Sequence, residues 1–300
     1  MCAARFSFLF ALCLAALACG GPPTPSGATE PSAHPERIIS FVPAVTEIVF
    51  ALGEGHRLVG RTDFCKWPAE AAQVPSIGGL LNISWEQVRA REPDLAIHMW
   101  SNEDLYRPLQ SLDVDTLAIH TETVDQVRDT IRAVAERLGV PERGEALVRE
   151  MDVQIAAVAE RLAGLEPRRT LLLIGREPGG WQSLFVAGPG SFVSELAEHA
   201  GAVNALGGET LGAYPTISRE IIIATDPEVI LDTVFEYTGS TPEQREAERA
   251  LYRESLPTVT AVRDGRVILW DDPHLTVPGP GMAAQIEKLA RAIHPEAFDD

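Results

Sequence analysis

The chain is short of most of what catalysis and metal binding need. It has four cysteines in 300 residues, and it contains no HExxH, GxSxG, P-loop or GxGxxG pattern. Cys2, Cys13 and Cys19 all fall in the first nineteen residues, so Cys65 stands alone in the remainder. A lone thiol makes neither an internal disulfide nor a CxxC metal clip, and the seven histidines are scattered singly. Positive charge is scarce as well: 25 Lys and Arg against 43 Asp and Glu give a net charge of −18. Such a surface repels phosphate backbones and does not adhere to anionic lipid by charge, which excludes nucleic acid as a partner.

No apolar run is long enough to span a bilayer. Phe6 to Ala18 follows Arg5 as a nearly unbroken apolar stretch, well short of the ~20 residues a transmembrane helix needs but suited to a secretory signal peptide over residues 1–18. Ala16-Leu17-Ala18-Cys19-Gly20 resembles a bacterial lipoprotein cleavage box, with Ala16 and Leu17 interchanged relative to the usual order. The expectation is a protein on the outer face of a membrane or in the periplasm, held by lipid on Cys19. Residues 19–36, rich in Gly, Pro, Ser and Thr, read as a flexible tether.

What is present is strand–helix alternation around one long central helix. Between Pro141 and Pro167, Val148, Met151, Ile155, Val158, Leu162 and Leu165 recur at spacings of three and four, with charged residues on the other faces. Apolar runs at Arg37–Val42, Leu58–Val59, Asp94–His98 and Asp115–His120 alternate with helical patterns before it. After it the same grammar returns at Arg169–Ile174, Leu184–Ala187, Glu228–Asp232 and Arg266–Trp270, with Met282–Ile293 as the last helix. The predicted fold class is α/β: two Rossmann-like lobes with parallel sheets, residues 37–140 and 168–300, joined by a helix over 141–167.

An internal repeat supports two copies of one design. Ser84 is followed nine residues later by Pro93, and Ser218 by Pro227; Glu47 is followed six residues later by Gly53, and Glu195 by Gly201. Ser84 and Ser218 are placed to cap helices, with Glu86 and Glu220 in the first turns and Gln87 positioned to complete a capping box. On dipole grounds alone these glutamates would only stabilise their helices.

Aromatic residues are few, 6% of the chain, yet Phe64, Trp67, Trp85, Trp100, Trp181, Phe185, Tyr214 and Trp270 lie largely at or after strand ends, where α/β sheets bind ligands. Gly175-Arg-Glu-Pro-Gly-Gly180 follows a strand but makes a poor phosphate nest, because Glu177 and Pro178 interrupt it. Asp271-Asp272-Pro273-His274 reads as a polar clamp on a ligand or as a solvated turn.

Three segments together resemble a known family: Arg37-Ile-Ile-Ser-Phe-Val-Pro-Ala-Val-Thr-Glu47, Asn82-Ile-Ser-Trp-Glu86 ahead of Glu-Pro-Asp-Leu95, and Pro215-Thr-Ile-Ser-Arg-Glu220. The chain is similar over roughly Arg37 to Ile293 to the periplasmic substrate-binding proteins of ABC importers for cobalamin, haem and ferric siderophores, and most to the cobalamin branch. The resemblance implies a monomeric binding protein that is not an enzyme. It implies a ligand held between two lobes, and one glutamate per lobe, Glu86 and Glu220, docked on the permease dimer. Ligand contacts would come from Phe64, Trp67, Trp100 and Tyr214, with Asp271 beside them. The second-lobe disulfide of that branch is missing here.

Aromatics suit a corrinoid, which needs broad apolar contact. Haem would call for an axial group among His98, His120, His274 and Tyr214; a ferric catecholate, being anionic, would call for Arg61, Arg107 or Arg176. The order of expectation is corrinoid, haem, siderophore. No resident cofactor or protein-bound metal is expected. An exported α/β enzyme with an inter-lobe site is the alternative from another class. The leader reading predicts that Cys19→Ser, expressed with its native signal, moves from the membrane to the soluble fraction; unchanged membrane association would contradict it.

Overall fold

The computed structural model describes residues 34–208, 212–235 and 239–298. The leader, Cys19 and most of the tether lie outside these residues. The first half runs β1 (Ile38–Ser40), α1 (Pro43–Ala51), β2 (Leu58–Arg61), α2 (Trp85–Ala90), β3 (Leu95–Met99), α3 (Glu103–Tyr106), β4 (Asp115–Ile119) and α4 (Val124–Arg137). Its sheet has order β2-β1-β3-β4 and is parallel throughout. Helix α5 (Pro141–Arg161) follows.

The second half runs β5 (Arg168–Gly175), β6 (Leu184–Val186), α6 (Phe192–His199), β7 (Ala202–Asn204), β8 (Thr216–Ile217), α7 (Arg219–Thr225), β9 (Val229–Asp232), α8 (Pro242–Ser255), α9 (Thr260–Arg263), β10 (Val267–Leu269) and α10 (Met282–Ile293). Its sheet, β10-β9-β5-β6-β8 with β7 also on β5, corrects the expectation of purely parallel sheets. β6 runs antiparallel to β5 and to β8. The cause is connection length: the loop from Arg176 to Ser183 holds no crossover helix, and a parallel neighbour would need one.

The long helix is shorter than its apolar pattern suggests. It has 21 residues, about 31 Å at the usual rise, and ends at Arg161 with Leu162 as C-cap. Gly164 beyond it adopts φ +85°, a left-handed geometry that ends the helix before Pro167. Val148, Met151, Ile155 and Val158 are buried as the period requires, whereas Leu165 lies on the surface. Gly144 permits the tight approach of α4, since a methyl group there would sit 2.5 Å from the Cβ of Ala135.

The repeat is visible in hydrogen bonds as well as in order. Arg37, just before β1, donates from Nε to the carbonyls of Arg91 and Glu92, both at 3.0 Å, while its backbone N–H donates to Asp94 at 2.9 Å. Arg169 in β5 donates to the carbonyls of Thr225 (2.9 Å) and Asp226 (2.6 Å), and its backbone N–H donates to Glu228 at 2.9 Å. Glu92 and Asp226, each preceding a proline, share positive φ values of 46° and 42°. Left-handed backbone at a non-glycine residue persists where its surroundings over-determine it, and here the same arginine clasp does so twice.

One apolar cluster crosses from half to half. It contains Ile38, Val45 and Ile97 from the first sheet region, Val148, Met151 and Ile155 from α5, and Leu172, Leu196, Ile286 and Leu289 from the second half. Leu171 and Leu173, the alternate residues of β5, point instead into a separate cluster with Leu184, Ile222, Tyr252 and Leu256. The halves therefore share a core, with α5 in the middle of it. The chain is expected to unfold in urea in one transition, and Met151→Ala to shift the whole of it by about 2–5 kcal/mol. Two separated transitions, one per half, would contradict the shared core.

Candidate functional site

Large exposed rings follow strands in the first half and lie on or just before strands in the second. Phe64 and Trp67 lie in the loop after β2, Trp100 follows β3, and Tyr214 precedes β8. Phe64 is 57% exposed, Trp100 48%, Tyr214 45% and Phe185 41%. They are ordered by stacking: Trp100 on His120 with centroids 5.0 Å apart, and Tyr214 on Phe185 at 6.2 Å. Trp85, Trp181 and Trp270 instead pack inward. Trp85 meets Phe41, Trp181 meets Tyr252 edge-on, and the indole N–H of Trp270 donates to the Asp272 carbonyl.

Glu122, which belongs to no motif, fixes the orientation of Trp100. Its Oε1 accepts from the indole N–H at 2.6 Å and its Oε2 from the Thr121 N–H at 3.1 Å. The charge reaches the other half: burial of its hydroxyl end and the Glu122 carboxylate push the Tyr214 phenol up, against a lowering contact from the Phe192 N–H. Tyr214 thus presents a half-exposed ring while its hydroxyl is sheltered.

Trp67 stacks flat on His274, with centroids 5.1 Å apart and planes 8° apart. The imidazole Nε2 lies 3.0 Å from Glu47 Oε2. Asp272 caps the turn by accepting from the His274 N–H at 3.0 Å, and also accepts from Gln285 at 2.9 Å and from Lys288. Burial alone would raise the Asp272 carboxyl, but those donors hold it below the ordinary range. Asp271 pairs with Arg245, so the Asp-Asp-Pro-His run is tied into the protein's own structure.

The anion-site candidates are largely used up. Arg176 is buried, donating to Asp232 (2.9 and 2.6 Å) and Glu248 (2.5 Å) beneath the rings of Trp181 and Tyr252. Burial would strip its proton, and the surrounding Asp232, Tyr252 and Glu248 hold it on. Glu248 also takes the Gly179 N–H at 2.6 Å, so the Gly175–Gly180 loop spends that amide internally. Arg61 donates to the carbonyls of Ala71 (2.7 Å) and Thr62 (2.8 Å). Arg107 lines a cavity of about 270 Å³ with His98, Trp100, Tyr106 and Gln110. His98 is buried, with Nδ1 3.0 Å from the Met99 carbonyl oxygen. Cys65 is a free, buried thiol 3.2 Å from the Thr62 hydroxyl. Among the described residues no group of three or more His, Cys, Asp or Glu is placed to hold a metal ion, and no helix is long and apolar enough to cross a membrane.

Glu86 and Glu220 both sit exposed in first helical turns, on α2 and α7. Ser84 caps its helix by accepting from the Gln87 N–H at 3.3 Å. Gln87 does not close a capping box; its side chain accepts from Arg91 one turn on. Ser218 makes no side-chain cap either. Its hydroxyl goes to Glu220, and that bond, with the residue's own backbone N–H, holds the Glu220 carboxyl below its ordinary range.

The sequence profile described as "Periplasmic binding protein" matches residues 38–274. The chain belongs to this family. A Bacillus subtilis relative, "Uncharacterized ABC transporter substrate-binding lipoprotein YvrC", is 24% identical over 275 residues, covering 89% of this chain and 82% of its own. The "Vitamin B12-binding protein" of Pectobacterium atrosepticum is 26% identical over 207 residues, covering 66% and 72%. Among solved structures, the "Periplasmic heme-binding protein RhuT from Roseiflexus sp. RS-1" superposes with a TM-score of 0.73 at 26% identity, covering 87% of this chain and 99% of that one. The relatives are named for binding or transport: the Bacillus subtilis protein as an ABC transporter substrate-binding lipoprotein, and the others for the vitamin B12 or heme that they bind.

Proposed function

We propose that the protein receives a corrinoid between its two lobes and delivers it to an ABC importer. The observation that carries this reading is the pair of half-exposed aromatic stacks, Trp100 on His120 and Tyr214 on Phe185, which offer broad flat apolar area from both halves. A corrinoid buries a large, mostly uncharged surface, and rings of this kind contribute most of what such burial yields. Trp67, stacked on His274, and the exposed Phe64 complete the aromatic part of the proposed set; Asp271, paired with Arg245, is its polar member.

The commitment of Arg176 and Arg61 to internal partners speaks against an anionic catecholate. Haem is the second reading, favoured by His120, an exposed imidazole beside Trp100; His274 is held by Glu47 and His98 is buried. Residues 37–140 and 168–300 act as the two lobes, and α5 joins them. The exposed carboxylates of Glu86 and Glu220 would each accept paired hydrogen bonds from a permease arginine, contacts about twice as strong as neutral ones. Acylation of Cys19 would keep the protein beside that permease.

Calorimetry with cyanocobalamin and with hemin tests the ligand. Cyanocobalamin is expected to bind at micromolar concentration or below without being converted, and Trp100→Ala to weaken it by about 1–3 kcal/mol. Hemin bound in preference to cyanocobalamin would overturn the corrinoid assignment, and turnover of either would overturn the transport one. Replacing Glu86 and Glu220 together by alanine should leave folding and ligand affinity nearly unchanged while impairing complex formation and uptake in cells carrying the cognate importer. Normal uptake by that variant would return both residues to helix stabilisation.

A further inference from the structure

The second half of the internal repeat, Thr46-Glu47-Ile48 to Gly53 and Ser194-Glu195-Leu196 to Gly201, has no part in the proposed function. Structurally the two copies correspond closely. Glu47 lies on α1 and Glu195 on α6, and each helix ends at its repeat glycine, with φ of 79° at Gly53 and 80° at Gly201. Each glutamate reaches across to the other half. Glu47 Oε1 accepts from the Gly281 N–H at 2.6 Å, at the N-cap of α10, while Oε2 lies 3.0 Å from His274. Glu195 Oε2 accepts from the Val124 N–H at 2.9 Å, the first residue of α4.

A carboxylate on an unpaired N–H at a helix start gains both a charge-assisted hydrogen bond and the helix dipole, and partial burial strengthens both. The side chain of Glu47 is 12% exposed. The receiving backbone leaves room for the Glu47–His274 pair: a methyl group on Gly281 would sit 2.3 Å from His274 Cε1 and 2.7 Å from Glu47 Oε1, and one on Gly279 would sit 2.5 Å from Oε2. The two bonds lie beside the proposed ligand surface. Val124 is two residues beyond Glu122, which orients Trp100, and His274 carries Trp67.

We infer that Glu47 and Glu195 are a pseudo-symmetric pair of positioning residues, each pinning the start of a helix in the opposite lobe and together setting the width of the cleft. The consequence for ligand rests on the inter-lobe binding reading; the pins themselves do not. With one pin intact a lobe can only pivot about it. With both removed, no carboxylate-to-amide bond among the described residues ties the halves, and α5, the apolar core and the Trp67–His274 stack are left to hold them.

Amide hydrogen exchange on the ligand-free protein tests the pins directly. Glu47→Ala should speed exchange at Gly281 by about tenfold or more and leave Val124 unchanged; Glu195→Ala should do the reverse. Gly281→Ala should reproduce Glu47→Ala from the other side of the contact, and Glu47→Gln, which keeps an acceptor, should restore part of the protection. The double alanine variant should keep a single unfolding transition yet release bound cyanocobalamin or hemin about tenfold faster than either single variant. Wild-type exchange at both partner amides, or a wild-type release rate in the double variant, would overturn the inference. If the wild type binds neither probe, the inter-lobe reading falls, and the exchange rates alone decide whether the pins exist.

Discussion

The apolar core that α5 shares with both sheets is the constraint on which the rest of the structure depends. A 21-residue helix alone would be a stiff rod between two bodies free to swing about its ends. Here Val148, Met151, Ile155 and Val158 are packed within one cluster that also holds α1 and β3 residues on one side and α6 and α10 residues on the other. Opening the lobes would expose apolar surface at about 25 cal/mol per Å², so the cost rises steeply with angle. The rigidity of the molecule comes from this junction more than from the length of the helix.

A rigid junction makes the placement of everything else meaningful. The arginine clasps of Arg37 and Arg169 fix each first strand against the turn that follows α2 or α7, and those helices carry Glu86 and Glu220. The separation of the two exposed carboxylates is thereby tied to the sheets, and the sheets are tied to each other through the core. A surface that meets a dimeric partner at two points needs that separation held constant.

Much of this was legible in the sequence because it rests on periodicity. Strand–helix alternation, the apolar face of α5 and the serine-to-proline interval are one-dimensional signals, and each led to the corresponding element. What was not legible depends on partners distant in the chain. The reversed direction of β6 follows from a short loop whose outcome no local pattern encodes. Arg176 reads as an available cation until Asp232 and Glu248, 56 and 72 residues away, are seen to enclose it. Glu122 reads as a solvated charge until Trp100 is found on it, and Glu47 as a helical surface residue until Gly281 meets it from 234 residues on. Leu165 shows the reverse failure: its spacing fits the helix, but Gly164 has already ended it.

The shared core holds the two halves at a nearly fixed opening, so a ligand bound between them as proposed would meet a cleft already formed rather than drive a large closure. Small-angle scattering of the protein with and without saturating cyanocobalamin, or hemin if that is the ligand taken up, measures this directly. The radius of gyration is expected to be unchanged within error on binding. A clear fall of several per cent would show lobes that swing shut, and would contradict a shared core that locks them.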